Sequence, residues 1–130
     1  MTMDDGFGER FAQALASKDR PALLGLLGAE IDFRALTPKR FWEADSAEVL
    51  VDDIVLGTWF DANDHIEALE EVQTGSVADR DRVSYRLRIV NPDGVFLVEQ
   101  QAYFGVDDDR INWLRIMCSG FRAIDDRPEP

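Results

Sequence analysis

The fold turns on one stretch: V95-F-L-V-E-Q-Q-A-Y-F-G-V106, then D107-D-D-R110, then I111-N-W-L-R-I-M-C-S-G-F-R-A-I124. Both runs are rich in β-branched and aromatic residues and lack proline, so they read as two long strands joined by an acidic turn. The first alternates. Phe96, Val98, Gln100, Ala102, Phe104 and Val106 fall on one face, and Val95, Leu97, Glu99, Gln101 and Tyr103 on the other. The second alternates too, with Leu114, Ile116 and Cys118 against Trp113, Arg115, Met117 and Phe121. A period of two gives each strand two faces. The cleaner apolar face should meet covering helices. The mixed face, with Arg86, Arg88, Glu99, Gln101, Tyr103, Trp113, Arg115 and Met117, has the composition of an association surface.

Upstream, Asp4–Ser17 carries Phe7, Phe11, Ala14 and Leu15 at helical spacing. Pro21 suits the first turn of a second helix over Arg20–Leu27, closed by Gly28. Glu30–Leu36 is a short strand, broken by T37-P-K-R40. Asp45 or Ser46 can cap a third helix whose apolar face holds Val49, Leu50, Ile54, Val55, Trp59 and Phe60. His65–Gly75 reads as a strand, although E67-A-L-E-E-V72 also fits one helical turn. Arg82–Val90 alternates, and N91-P-D-G94 turns it into the terminal hairpin. Helices followed by hairpin-linked strands argue an α+β class, in one domain over residues 1–130.

The formal charge is -12, so a phosphate backbone and an anionic membrane surface are both disfavoured partners. A single cysteine, Cys118, excludes an intrachain disulfide and makes a cysteine metal site a poor reading. The first residues lack a basic segment and an apolar core, and no apolar run approaches a membrane span. A soluble cytoplasmic protein is the expectation.

The chain resembles the nuclear-transport-factor-2-like superfamily, which includes ketosteroid isomerases, SnoaL-like polyketide cyclases, scytalone dehydratase and limonene epoxide hydrolase. The resemblance rests on F11-A-Q-A-L-A-S-K-D-R-P-A-L-L-G-L-L27, on A29-E-I-D-F-R-A35 and on the turn D107-D-D-R-I111. It implies a cone, or cystatin-like roll: a curved antiparallel sheet against three N-terminal helices, enclosing an apolar pocket. It also implies a homodimer through the outer sheet face, here Arg86, Tyr103, Trp113 and Arg115. The superfamily's catalytic groups do not carry over. The isomerase tyrosine falls on Phe11, its aspartate base on Ala35 and its protonated aspartate on Ala102, none of which can supply the needed group. The hydrolase aspartate after a tryptophan–arginine pair has no counterpart in W113-L-R-I-M117, and the dehydratase needs two histidines where this chain has one.

These readings lead to a binder of a small hydrophobic molecule, with Phe11, Trp42, Trp59, Tyr85, Gln100, Phe104 and Cys118 lining the pocket and Tyr85 and Gln100 orienting the ligand. No cofactor and no metal is called for. A cofactor-free cyclase, isomerase or dehydratase using His65, Tyr85 and Gln100 is the alternative, and a dimeric interaction domain with a filled pocket is a third. Asp52-Asp53 and Glu70-Glu71 are poor catalytic pairs, because neighbours in sequence point apart. Asp107-Asp108-Asp109 lacks calcium-loop spacing.

Overall fold

The computed structural model describes residues 6–124, so the expected start at Asp4 and the polar tail over 125–130 lie outside the described residues. The first helix, α1, spans Phe7–Ala16 and buries Phe11, Ala12, Ala14 and Leu15. Gly8 is also buried, because a Cβ there would lie 2.9 Å from the Val83 Cβ. The helix ends in a Schellman motif. The Lys18 N–H donates to Leu15 O at 3.0 Å and the Asp19 N–H to Ala14 O at 2.9 Å. Lys18 takes the left-handed position of that motif, at φ 52°. Its side chain then reaches across the molecule, where Nζ donates to Asp61 O at 2.6 Å and to Asp64 O. Asp19 caps the second helix, α2 (Arg20–Leu26), by accepting from the Ala22 N–H at 3.1 Å.

No loop follows α2. The chain passes directly into β1 (Leu27–Thr37), which turns through Pro38-Lys39 into β2 (Arg40–Ser46). Residues 37–40, expected only as a break, are the turn of a hairpin, and β2 is a strand that the sequence pattern does not announce. Its one inward signal is Trp42 with Ala44, and Glu43 and Asp45 are poor strand formers.

The third helix, α3 (Val49–Trp59), is π-wound, with i→i+5 bonds such as Phe60 N–H to Val55 O at 2.8 Å. The buried pairs Leu50-Val51, Ile54-Val55 and Trp59-Phe60 recur at wider intervals than the α-helical repeat of about 3.6 residues. Gly57 permits the winding, since a Cβ there would come within 2.4 Å of the Asp52 carbonyl oxygen.

The remaining chain is β3 (His65–Val77), β4 (Arg80–Asn91), β5 (Gly94–Asp107), β6 (Arg110–Cys118) and the short β7 (Arg122–Ala123). The sheet order is β2-β1-β6-β5-β4-β3, with β7 also paired to β5. The sheet is mixed rather than wholly antiparallel, because β1 runs parallel to β6. In β3 the ladder slips between Ile66 and Ala68 and again between Leu69 and Glu71. Each slip inserts a residue, so the half-buried Ile66, Leu69 and Val72 recur every third position, which explains the helix-like spacing there. The second slip also brings Glu70 and Glu71 to one guanidinium, Arg86, at 3.1 and 3.4 Å, where strict alternation would have parted them.

In β4, Val83, Tyr85, Leu87 and Ile89 are buried as the alternation predicts. The terminal hairpin turns through Asp108 and Asp109, both left-handed. The second run of that hairpin is not one strand. It breaks at Ser119–Phe121, where Gly120 has φ 76°. The break resets the alternation, so Phe121 stacks with Phe60 and Phe96 on the helix-covered face rather than beside Met117.

Lys18→Ala removes two hydrogen bonds from a charged donor and should cost about 1–3 kcal/mol in urea unfolding. Gly57→Ala drives a methyl group into a backbone carbonyl. It should destabilise by about 1–3 kcal/mol and change Trp fluorescence, as α3 rewinds to relieve the clash.

Candidate functional site

The inner face of the sheet is built in registered rows. Tyr85 on β4 pairs with Gln100 on β5, which pairs with Cys118 on β6. The side chains follow that row. The Tyr85 O–H donates to Gln100 Oε1 at 2.5 Å, and Gln100 Nε2 donates to Cys118 Sγ at 3.3 Å. The Gly120 N–H also donates to that sulfur, at 3.3 Å. Phe11 from α1 meets the Tyr85 ring edge-on, with centroids 6.3 Å apart. Burial, and the neighbouring Cys118, push the Tyr85 hydroxyl well above its ordinary value. At neutral pH Tyr85 is therefore a donor and not a base.

A second aromatic group lies under the end of α3. Trp59 packs against Phe33 at 6.2 Å and edge-on against Trp42 at 5.9 Å. The Trp42 Nε1–H donates to Thr37 Oγ1 at 2.8 Å, and the Arg40 guanidinium lies 3.6 Å above the Trp42 ring. The Trp59 Nε1–H is buried and finds no acceptor among the described residues. Burying a polar group without a partner is costly, and native interiors rarely leave one so.

Six of the seven expected lining residues are buried: Phe11, Trp42, Trp59, Tyr85, Gln100 and Phe104 are all 9 % exposed or less, and Cys118 is half-buried. Phe104 packs near the start of α1, where a Cβ on Gly8 would lie 3.5 Å from its ring. Among the described residues Gln100 is the only polar or charged one in the buried class. Tyr85 and Gln100 come together, but His65 does not join them. It is exposed at the start of β3, opposite Val90 at the far end of β4. Phe11, Ala35 and Ala102 are all buried. Asp52 is held by Arg20 at 2.7 Å, which keeps its carboxyl below the usual range. No group of three or more His, Cys, Asp or Glu among the described residues could hold a metal ion. No helix among them is long and apolar enough to cross a membrane.

The outer face is different in kind. Arg86 contacts Glu70, Glu71 and Glu99, and Arg88 contacts Glu67 and Glu70. Trp113 carries two guanidinium groups, Arg80 at 3.9 Å and Arg115 at 4.4 Å. Gly105 leaves room for the first, since a Cβ there would lie 2.5 Å from Arg80 Nη1. Phe41, Leu36 and Met117 are cross-strand neighbours and are 51 %, 48 % and 57 % exposed. They border a recess of about 300 Å³ that Arg34, Tyr103 and Arg115 also line. Leu36 and Phe41 were not singled out from the sequence, because their row runs through the unread β2. Trp59 is among the lining residues expected from the sequence, but that its donor lacks a partner is a property of three-dimensional packing.

No family model matches the sequence, and no curated protein matches it. Solved structures do match. A provisional isomerase from Rhodopseudomonas palustris superposes with a TM-score of 0.69 at 14 % identity, covering 91 % of this chain and 93 % of that one. An LEH-like epoxide hydrolase from M. tuberculosis gives 0.63 at 15 %, covering 87 % and 80 %. An NTF2-like protein of unknown function from Mesorhizobium loti gives 0.59 at 21 %, covering 91 % and 98 %. Helices against one face of a mixed sheet, superposed at these scores over most of each chain, make this the nuclear-transport-factor-2-like fold.

Proposed function

We propose that the chain, as one domain over residues 1–130, binds a small, neutral, largely apolar molecule in the interior of its cone. The unpaired Trp59 Nε1–H carries the reading. A buried donor with aromatic walls on two sides is complemented by an acceptor oxygen on an apolar body. Tyr85 and Gln100 form the second polar element, and Phe11 closes over it. Binding fits the interior better than catalysis, because Gln100 is the single residue of the buried polar or charged class among the described residues, and an amide is neither a general acid nor a general base. A homodimer through the outer face goes with this reading. It is supported by the exposed Phe41–Leu36–Met117 row beside Tyr103, Trp113, Arg115 and Arg86. Aromatic, methionine and arginine side chains on one face have the make-up of interface cores.

Two measurements test these statements. Benzophenone and diphenylmethane share an apolar body and differ in one carbonyl. Calorimetry should find benzophenone the tighter ligand, and Trp59→Phe should weaken it about tenfold while leaving diphenylmethane unchanged. No uptake of either compound, or an equal effect on both, would refute the donor role. In size-exclusion chromatography with light scattering, the wild-type chain should run as a dimer at micromolar concentration. Met117→Glu should make it a folded monomer, and a wild-type monomer would remove the outer-face interface.

A further inference from the structure

The end of β6 is built as a clasp, a hinge and a plug. The clasp is Ser119, whose N–H donates to Glu99 O at 2.8 Å while its Oγ accepts from the Glu99 N–H at 2.9 Å. The hinge is Gly120. Its φ of 76° lies in the left-handed region, and a Cβ there would come within 2.8 Å of Pro38 Cγ. Beyond it, among the described residues β7 rejoins β5 through Phe96↔Ala123 and Leu97↔Arg122, followed by an Ile124 N–H bond to Val95 O at 3.1 Å. The β4–β5 ladder alongside runs without a slip from Asp81↔Phe104 to Asn91↔Gly94.

Between hinge and β7 stands Phe121. Its ring lies 6.0 Å from Phe60 and 5.6 Å from Phe96, centroid to centroid. Phe121 is 38 % exposed and Phe60 is 1 % exposed, so the outer ring shields the inner one from water. Phe60 directly follows Trp59 at the end of α3, but the two side chains meet different partners: Trp59 packs on Phe33 and Trp42, and Phe60 on Phe121.

We propose that residues 119–124 form a hinged strap and that Phe121 is the plug through which the interior is reached. A short ladder and one half-exposed ring are what local opening draws on, while the long central ladder stays closed. Movement about Gly120 would withdraw its N–H from Cys118 Sγ and expose more of the half-buried cysteine. The part of this inference that concerns a ligand rests on the binding reading above, but the opening itself does not.

Cys118, the single cysteine, is a built-in reporter. Alkylation by iodoacetamide, followed by intact mass under native conditions, should run about tenfold faster in Phe121→Ala than in wild type. Phe121→Leu should stay near the wild-type rate, and all three chains should unfold at similar urea concentrations. Equal alkylation rates would overturn the strap. So would a faster rate that tracks a lowered unfolding midpoint, because that is global unfolding. Benzophenone association, followed by stopped-flow Trp quenching, should be faster in Phe121→Ala. If alkylation responds but benzophenone binds no chain, the strap stands and the binding reading falls.

Discussion

From Asp32 beside Trp113 to Leu36 beside Met117, β1 runs parallel to β6, and the rest of the molecule is placed by that pairing. A parallel neighbour requires a crossover, and the intervening chain supplies it as α3 and the β3–β5 meander. The pairing sets the β1–β2 hairpin beside the terminal hairpin on one continuous sheet. It also lets α1 lie on β3 and β4 while α2 meets β1 and β6. Arg115 secures the pairing from outside, donating to Asp32 O at 2.9 Å with its second nitrogen 3.2 Å from Asp32 Oδ1. Gly28 fits near the start of the same pair, where a Cβ would collide with Asn112.

Where a strand alternates cleanly, its residues disclose both faces. Val83, Tyr85, Leu87 and Ile89 did so, and the row Tyr85–Gln100–Cys118 was legible as shared inward positions before any contact was known. Legibility failed where the period was altered. Two bulges gave β3 a spacing of three, π-winding widened the repeat of α3, and the left-handed Gly120 reversed Phe121. β2 was lost because it carries few strand-forming residues and draws its stability from β1. No local pattern shows that β1 will pair with β6, which is a long-range choice. Nor does any pattern show that Trp42 finds Thr37 while Trp59 finds no acceptor. Those are outcomes of packing between elements.

The outer face shows how a chain of net charge -12 distributes its cations. All but Lys18 and Lys39 of the 14 basic residues are arginine. Arg34, Arg80, Arg82, Arg86, Arg88 and Arg115 all belong to β1, β4 and β6. Arg86 is the centre of the ion pairs, and its hydrogen bond to Glu70 holds the guanidinium above its ordinary range. Exposed pairs of this kind add little stability. Their more useful role is to keep charge on a face that also shows Phe41, Leu36 and Met117, so that its contacts stay selective.

The winding of α3 has an evolutionary consequence. A π turn holds one residue more between its bonded ends than an α turn. A one-residue deletion between Asp52 and Gly57 would therefore tighten that turn and rotate the Trp59-Phe60 end of the helix relative to Leu50-Val51. Length change, usually confined to surface loops, is here available inside a packed helix. The same step would shift where the Trp59 donor points. For this chain that is a route to a new interior chemistry through a change of length, with the sheet left untouched.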